Sequence, residues 1–104
     1  MAQFNVAVGI NALDSVITGD ENVAVGYQAL TANTSGVRNT ASGFKSLNSN
    51  TTGVSNMASG YQSLYSNTTG NYNTALGYQA GDLITIGTNN VIIGCHSDPN
   101  ANNA

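Results

Sequence analysis

The residues that could carry out covalent or metal chemistry are few, and the most suggestive pair is Cys95 followed by His96. A cysteine beside a histidine can act as a nucleophile with its base, or supply two metal ligands. However, neighbouring residues on a strand point to opposite faces, and the chain has no second cysteine or histidine to complete a site. We therefore predict no catalytic residue, no metal, no cofactor and no enzymatic activity.

Asp20 and Glu21 form the one acidic pair that could contribute to a calcium site. A calcium-binding repeat would present acidic ligands again at its own period, but the equivalent pairs in the later copies are not acidic. They are Val37–Arg38, Val54–Ser55 and Asn71–Tyr72. We interpret Asp20 and Glu21 as solvated charges in a turn.

Threonines at a spacing of 17 suggest a different function, because a flat threonine ladder on a solenoid can bind ice. This column contains Thr34, Thr51, Thr68 and Thr85, and the next contains Thr18, Ser35, Thr52 and Thr69. Both columns fall in a predicted turn and not along a strand, where we expect the hydroxyls to face water. An ice-binding β-solenoid therefore stays an alternative, testable by thermal hysteresis.

Three glycosylation sequons share one column, with their asparagines at Asn33, Asn50 and Asn67. Sequons in a secreted eukaryotic protein mark surface loops. In a bacterial or phage protein the same residues would only shape a turn, and we favour that interpretation.

These spacings belong to one internal repeat, with a period of 17, that covers nearly the whole chain. One asparagine opens each copy, and a glycine follows four residues later, so that eleven of the twelve glycines fall in two columns. The asparagines are Asn5, Asn22, Asn39, Asn56, Asn73 and Asn90. The first glycine column includes Gly26, Gly43, Gly60 and Gly77. We predict a single repeat domain over residues 1–104, with the repeat decaying over 96–104.

The composition excludes several classes of protein. Charged residues make up 7% of the chain, against roughly 25% in ordinary soluble proteins, and Arg38 and Lys45 are the only strong cations. Nucleic-acid binders need a basic patch, and a membrane span needs about 20 apolar residues. We therefore expect neither nucleic-acid binding nor membrane insertion. Glycine-rich disorder is an alternative that the regular apolar columns argue against.

Each copy contains two glycines and several β-branched residues, which disfavours a helix. The segment after each asparagine, such as "VAV" at 23–25, predicts a short strand. A second strand is predicted over segments such as "YQAL" at 27–30, with asparagine and glycine at the corners. Each copy would then be one coil of a parallel β-solenoid, stacked about 4.8 Å from the next.

In such a stack, identical residues lie over one another. The asparagine amides can bond along the axis as a ladder, and we expect a thin interior made of alanine, leucine and aromatic columns. The alanines are Ala24, Ala41, Ala58 and Ala75, the leucines Leu30, Leu47 and Leu64, and the aromatics Tyr27, Phe44, Tyr61 and Tyr78. So small an interior hardly offsets the entropy of the chain, so we expect oligomerisation.

The units "NVAVGYQALTANTSG" and "NTALGYQAG" resemble the head repeats of trimeric autotransporter adhesins, whose core is Asn-x-[small or Val]-Ala-[Ile or Val]-Gly. They are also similar to repeat regions of phage tail fibres. Residues 5 to about 95 carry the resemblance. The period of 17 exceeds the 14 or 15 common in the adhesins, which favours the fibre-like relatives.

The resemblance implies a left-handed parallel β-roll of about six coils, assembled as a homotrimer. It further implies a rigid adhesive or spacing module on a bacterial surface, within a parent protein anchored in the outer membrane, or on a virion fibre. The partners of such modules are host-cell surface proteins or glycans. Tyr65 and Tyr72, which the repeat does not require, are candidate partner-binding residues. The first repeat begins at Asn5, so we expect a fragment of a longer protein.

Overall fold

The computed structural model describes residues 3–96 and contains one six-stranded parallel sheet in which the strands follow chain order. The five connections between successive strands each make one turn of a β-solenoid, so the predicted all-β parallel solenoid is confirmed. The strands are β1 (Val6–Val8), β2 (Val23–Val25), β3 (Thr40–Ser42), β4 (Met57–Ser59), β5 (Thr74–Leu76) and β6 (Val91–Ile93). Apart from His96, the predicted tail 96–104 lies outside the described residues.

The strands pair in register at the period of the sequence repeat. Ala41 of β3 lies opposite Ala24 of β2 on one side and Ala58 of β4 on the other. A three-residue strand is not stable alone, because its backbone donors and acceptors need partners. Stacking supplies these partners, so each strand forms only as part of the column.

The predicted second strand is wrong. Residues 27–30, 44–47 and 61–64 form turns, because two residues in each segment adopt left-handed backbone conformations. In the second coil these residues are Gln28, with φ of 55°, and Leu30, with φ of 53°. An extended strand requires negative φ. The solenoid therefore has one sheet, and its other walls are stacked turns.

These turns still exchange backbone hydrogen bonds with the neighbouring coils. Gln28 N donates to Ile10 O in the coil before at 2.9 Å, and Leu30 N donates to Ser46 O in the coil after at 3.1 Å. Backbone hydrogen bonds between coils are therefore present in the turns as well as in the strands.

Small residues line the interior, as the repeat predicts. Ala24, Ala41, Ala58, Leu30 and Leu47 are fully buried. Ala7 is exposed in the first coil, where no earlier coil covers it. Gly81 replaces leucine in the fifth coil and keeps the same left-handed backbone, with φ of 65°.

The two glycine columns serve different purposes. Gly43 has φ of 133°, and a Cβ there would lie 2.6 Å from Gly60 O in the next coil. Gly53, in the second column, does not have positive φ. A Cβ on Gly53 would lie 2.6 Å from Gly70 O and would also meet two asparagine side chains. Positive φ therefore explains glycine in the first column only, and the second column requires glycine because the backbones approach closely.

Candidate functional site

A continuous asparagine ladder runs through the interior, and it includes Asn22, Asn39, Asn56 and Asn73, all buried. Asn39 Oδ1 accepts a hydrogen bond from the backbone N–H of Asn56 at 2.9 Å, while Asn39 Nδ2 donates to Gly53 O at 2.8 Å. Each side chain therefore joins its own coil to the next through backbone groups. Direct amide-to-amide bonds also occur, as between Asn56 Nδ2 and Asn39 Oδ1 at 3.1 Å.

A second asparagine ladder is formed by the sequon residues Asn33, Asn50 and Asn67, which are fully buried. Asn50 Nδ2 donates to Asn33 Oδ1 at 2.8 Å, and also to Gly53 O at 3.2 Å. An amide in this position is inaccessible to a glycosylating enzyme while the coil is folded. The sequence feature that indicates this buried position is the glycine three residues after each of these asparagines.

The aromatic column lies outside the solenoid, so its predicted place in the interior is wrong. Tyr27, Phe44, Tyr61 and Tyr78 are 38–47% exposed and stack in one row. Two asparagines, two small residues and a leucine already fill the interior of a typical coil. The rings instead protect each other by stacking.

The outer face of the sheet exposes apolar side chains. The middle residue of each strand from β2 to β6 points inward, while the first and third residues face solvent or are half-buried. Across the six strands, seven of the first and third residues are large, apolar and 40–72% exposed, namely Val6, Val8, Val25, Met57, Leu76, Val91 and Ile93. Thr40, Ser42, Ser59 and Thr74 interrupt this face, so most of the apolar residues fall in two clusters, on β1–β2 and on β5–β6. Exposed apolar clusters are typical of interaction surfaces.

The candidate chemical groups remain scattered. Cys95 is an exposed free thiol, and His96 packs edge-on against Tyr78 with ring centroids 5.1 Å apart. Glu21 pairs with Arg38 at 3.6 Å, and Asp20 Oδ1 accepts a hydrogen bond from Gln3 N. Among residues 3–96, no group of three His, Cys, Asp or Glu side chains is placed to hold a metal.

The hydroxyls of one threonine column are hydrogen-bonded within the protein, whereas the sequence predicted that they face water. Thr34, Thr51 and Thr68 each donate from Oγ1 to the carbonyl of the next coil, at 3.2–3.4 Å, so this column does not simply face water. The neighbouring column, which includes Thr52 and Thr69, is exposed. One exposed row in a turn does not form a flat sheet of hydroxyls.

The two candidate partner-binding tyrosines have different environments. Tyr72 is 59% exposed and has φ of 58°, whereas Tyr65 is half-buried. They occupy different positions in the repeat, so the structure does not bring them into one column. Gln79 Nε2 donates to Gln62 Oε1 at 2.7 Å beside the aromatic row.

No family model matches the sequence, and the comparisons with curated proteins and with solved structures also find no match. Within residues 3–96 there is no helix long and apolar enough to cross a membrane.

Proposed function

We propose that this chain is a rigid, non-enzymatic structural module that assembles as a homotrimer and presents or spaces receptor-binding surfaces. The observation that carries the proposal is the apolar outer face of the sheet, described above. A monomer would leave this face in water, whereas assembly through it would bury apolar area at about 25 cal/mol per Å².

The thin interior supports the same conclusion. The second, third and fourth coils each bury one leucine, two small residues and two asparagines, and the amides are engaged with backbone groups. Such coils gain rigidity from hydrogen bonds but little from the burial of apolar surface. Contacts between subunits would supply the missing burial.

The resemblance to adhesin heads and tail-fibre repeats favours three subunits and a left-handed coil. It also favours an extracellular location, on a bacterial surface or a virion. Stacked coils with few irregular loops suit an extended shaft, because each coil contacts only its neighbours and the module can lengthen by adding repeats.

Light scattering tests the assembly directly. We expect a mass about three times the 10.6 kDa of one chain. Replacing Leu76 with lysine places a charge on the outer face and should reduce the mass to that of one chain. The matched control is Thr69→Lys, because Thr69 is exposed in a turn outside the sheet, and it should leave the mass unchanged.

Two results would contradict the proposal. A wild-type mass of one chain would exclude the trimer, and a trimer that tolerates Leu76→Lys would exclude the outer face as the interface. A separate screen against host-cell proteins and glycans, with Tyr72→Ser as the variant, would distinguish an adhesive module from a passive spacer.

A further inference from the structure

The aromatic row is a repeating surface strip that runs across four successive coils. Ring centroids from Tyr27 through Phe44 and Tyr61 to Tyr78 are separated by 5.3, 5.1 and 4.9 Å, so the rings follow the stacking of the coils. Neighbouring ring planes differ by only 5–13°. The inner faces are therefore covered by neighbouring rings, and the ring edges remain for contact with solvent or a ligand.

The strip has a defined electrostatic character. Ring edges carry partial positive charge and favour edge-to-face contact with an electron-rich ring. Lys45 Nζ lies 5.3 Å from the Phe44 centroid. The ion pair within residues 3–96 joins Arg38 and Glu21, so no carboxylate from that part of the chain pairs with Lys45. Three of its four rings are tyrosines and carry phenolic hydroxyls, and a positive group lies beside the second ring.

The residues on either side of each ring also repeat from coil to coil. The residue before each ring is a glycine, and Gly26, Gly43, Gly60 and Gly77 place no side chain beside the row. These positions must stay glycine, since a Cβ would collide with the backbone of the next coil. On the other side, Gln62 and Gln79 bond to each other. The rings themselves lie in one row along the direction in which the coils stack, so a rod-shaped ligand parallel to the solenoid axis would meet the edges of several rings.

We propose that the aromatic strip binds elongated, planar, conjugated aromatic anions. The flat face of the ligand lies across the edges of several rings, its long axis follows the solenoid axis, and its acidic group lies near Lys45. Because each coil repeats the same contact, a long ligand gains one edge-to-face contact per coil that it crosses. This site is separate from the outward residues of the sheet and does not require a trimer.

Congo red is a suitable probe, because it is long, planar and anionic. We expect saturable binding to the full chain, seen as a shift in dye absorbance and as induced circular dichroism. The decisive variant is Tyr61→Ile, which removes the third ring. Isoleucine fits this column, since Ile10 occupies it in the first coil. Loss of one ring contact should weaken binding about fivefold.

Two further variants separate the contributions. Lys45→Gln, which introduces the residue of the neighbouring coils at Gln28 and Gln62, should weaken Congo red binding about threefold at low ionic strength, the size expected for one exposed charge pair. The matched control Phe4→Ser removes an exposed aromatic ring outside the strip and should leave the affinity unchanged.

Several results would overturn the proposal. They are the absence of a saturable signal, unchanged affinity in Tyr61→Ile, and equal weakening by Phe4→Ser. Thioflavin T, a planar cation, should bind more weakly than Congo red, and equally tight binding would contradict the charge preference. Light scattering on the same samples separates this outcome from that of the trimer, because dye binding and mass are independent.

Discussion

Replacing Asn56 with alanine tests the contribution of the interior ladder. Asn56 Oδ1 accepts the N–H of Asn73 at 3.0 Å, and Asn56 Nδ2 donates to Gly70 O at 2.8 Å. Gly70 O keeps a second donor, Asn67 Nδ2 at 3.1 Å. The buried N–H of Asn73 has Asn56 as its acceptor, so the variant leaves this N–H without a partner.

The expected loss follows from these contacts. An orphaned buried donor costs about 1–3 kcal/mol, and each lost hydrogen bond about 1 kcal/mol. We therefore expect Asn56→Ala to lower the free energy of unfolding by about 3 kcal/mol. This is a large fraction of the roughly 5–15 kcal/mol typical of a domain.

Urea unfolding followed by circular dichroism, at one fixed protein concentration, measures this loss. The control is Asn48→Ala, because Asn48 is half-buried and its side chain donates one hydrogen bond, from Nδ2 to Gln28 O at 3.2 Å. We expect the control to lose no more than about 1 kcal/mol. Equal losses in the two variants would refute the claim that the buried ladder stabilises the stack.

Three other substitutions test separate parts of the coil. Ala58→Asp should prevent folding, because it buries a carboxylate in a fully covered position. Loss of the far-ultraviolet circular dichroism signal of β structure would measure this, and a stably folded variant would show that this column lies outside the interior. Gly43→Ala should lower the free energy of unfolding in urea by at least about 2 kcal/mol, because Gly43 has positive φ and an added Cβ would collide with Gly60 O. An unchanged unfolding midpoint would contradict the close approach of the two coils at this corner. Thr68→Ala should lower the free energy of unfolding by only about 0.5–1 kcal/mol in the same assay, since it removes one partly exposed hydrogen bond to Thr85 O. A loss as large as that of Asn56→Ala would show that this one bond does not account for the contribution of the turn hydroxyls.

The sequence predicted the strands and their register because both follow from the period. An asparagine precedes each strand and a glycine follows it, as Asn39 and Gly43 do for β3. Because the interval between copies is constant, equivalent residues lie opposite each other when the copies stack. The inward alanine follows from alternation along a strand.

The second half of each coil could not be predicted in the same way. Segments such as "FKSL" at 44–47 suggest a short strand between two corners, but left-handed conformations at Lys45 and Leu47 fold this segment into a turn. This places Phe44 outside and Ser46 inside. Leucine and lysine seldom adopt positive φ, so residue preferences gave no warning.

The interior position of Asn50 and its equivalents was also missed. A polar residue in an Asn-Thr-Thr-Gly turn is ordinarily exposed. Here the amide is buried because the stacked turns provide Asn33 Oδ1 and Gly53 O as hydrogen-bond acceptors. Gly53 O belongs to the same turn as Asn50, whereas Asn33 Oδ1 comes from the preceding coil, and only stacking brings it within reach.

The central claim is that successive copies of the repeat stack in parallel and in register, and contacts between alanine methyl groups test it most directly. Nuclear Overhauser spectroscopy on methyl-labelled protein should show cross-peaks for Ala41 with Ala58 and for Ala58 with Ala75, which are paired across adjacent strands. Ala41 and Ala75, two coils apart, should give none. Absence of the first two cross-peaks in folded protein would contradict the stacked solenoid.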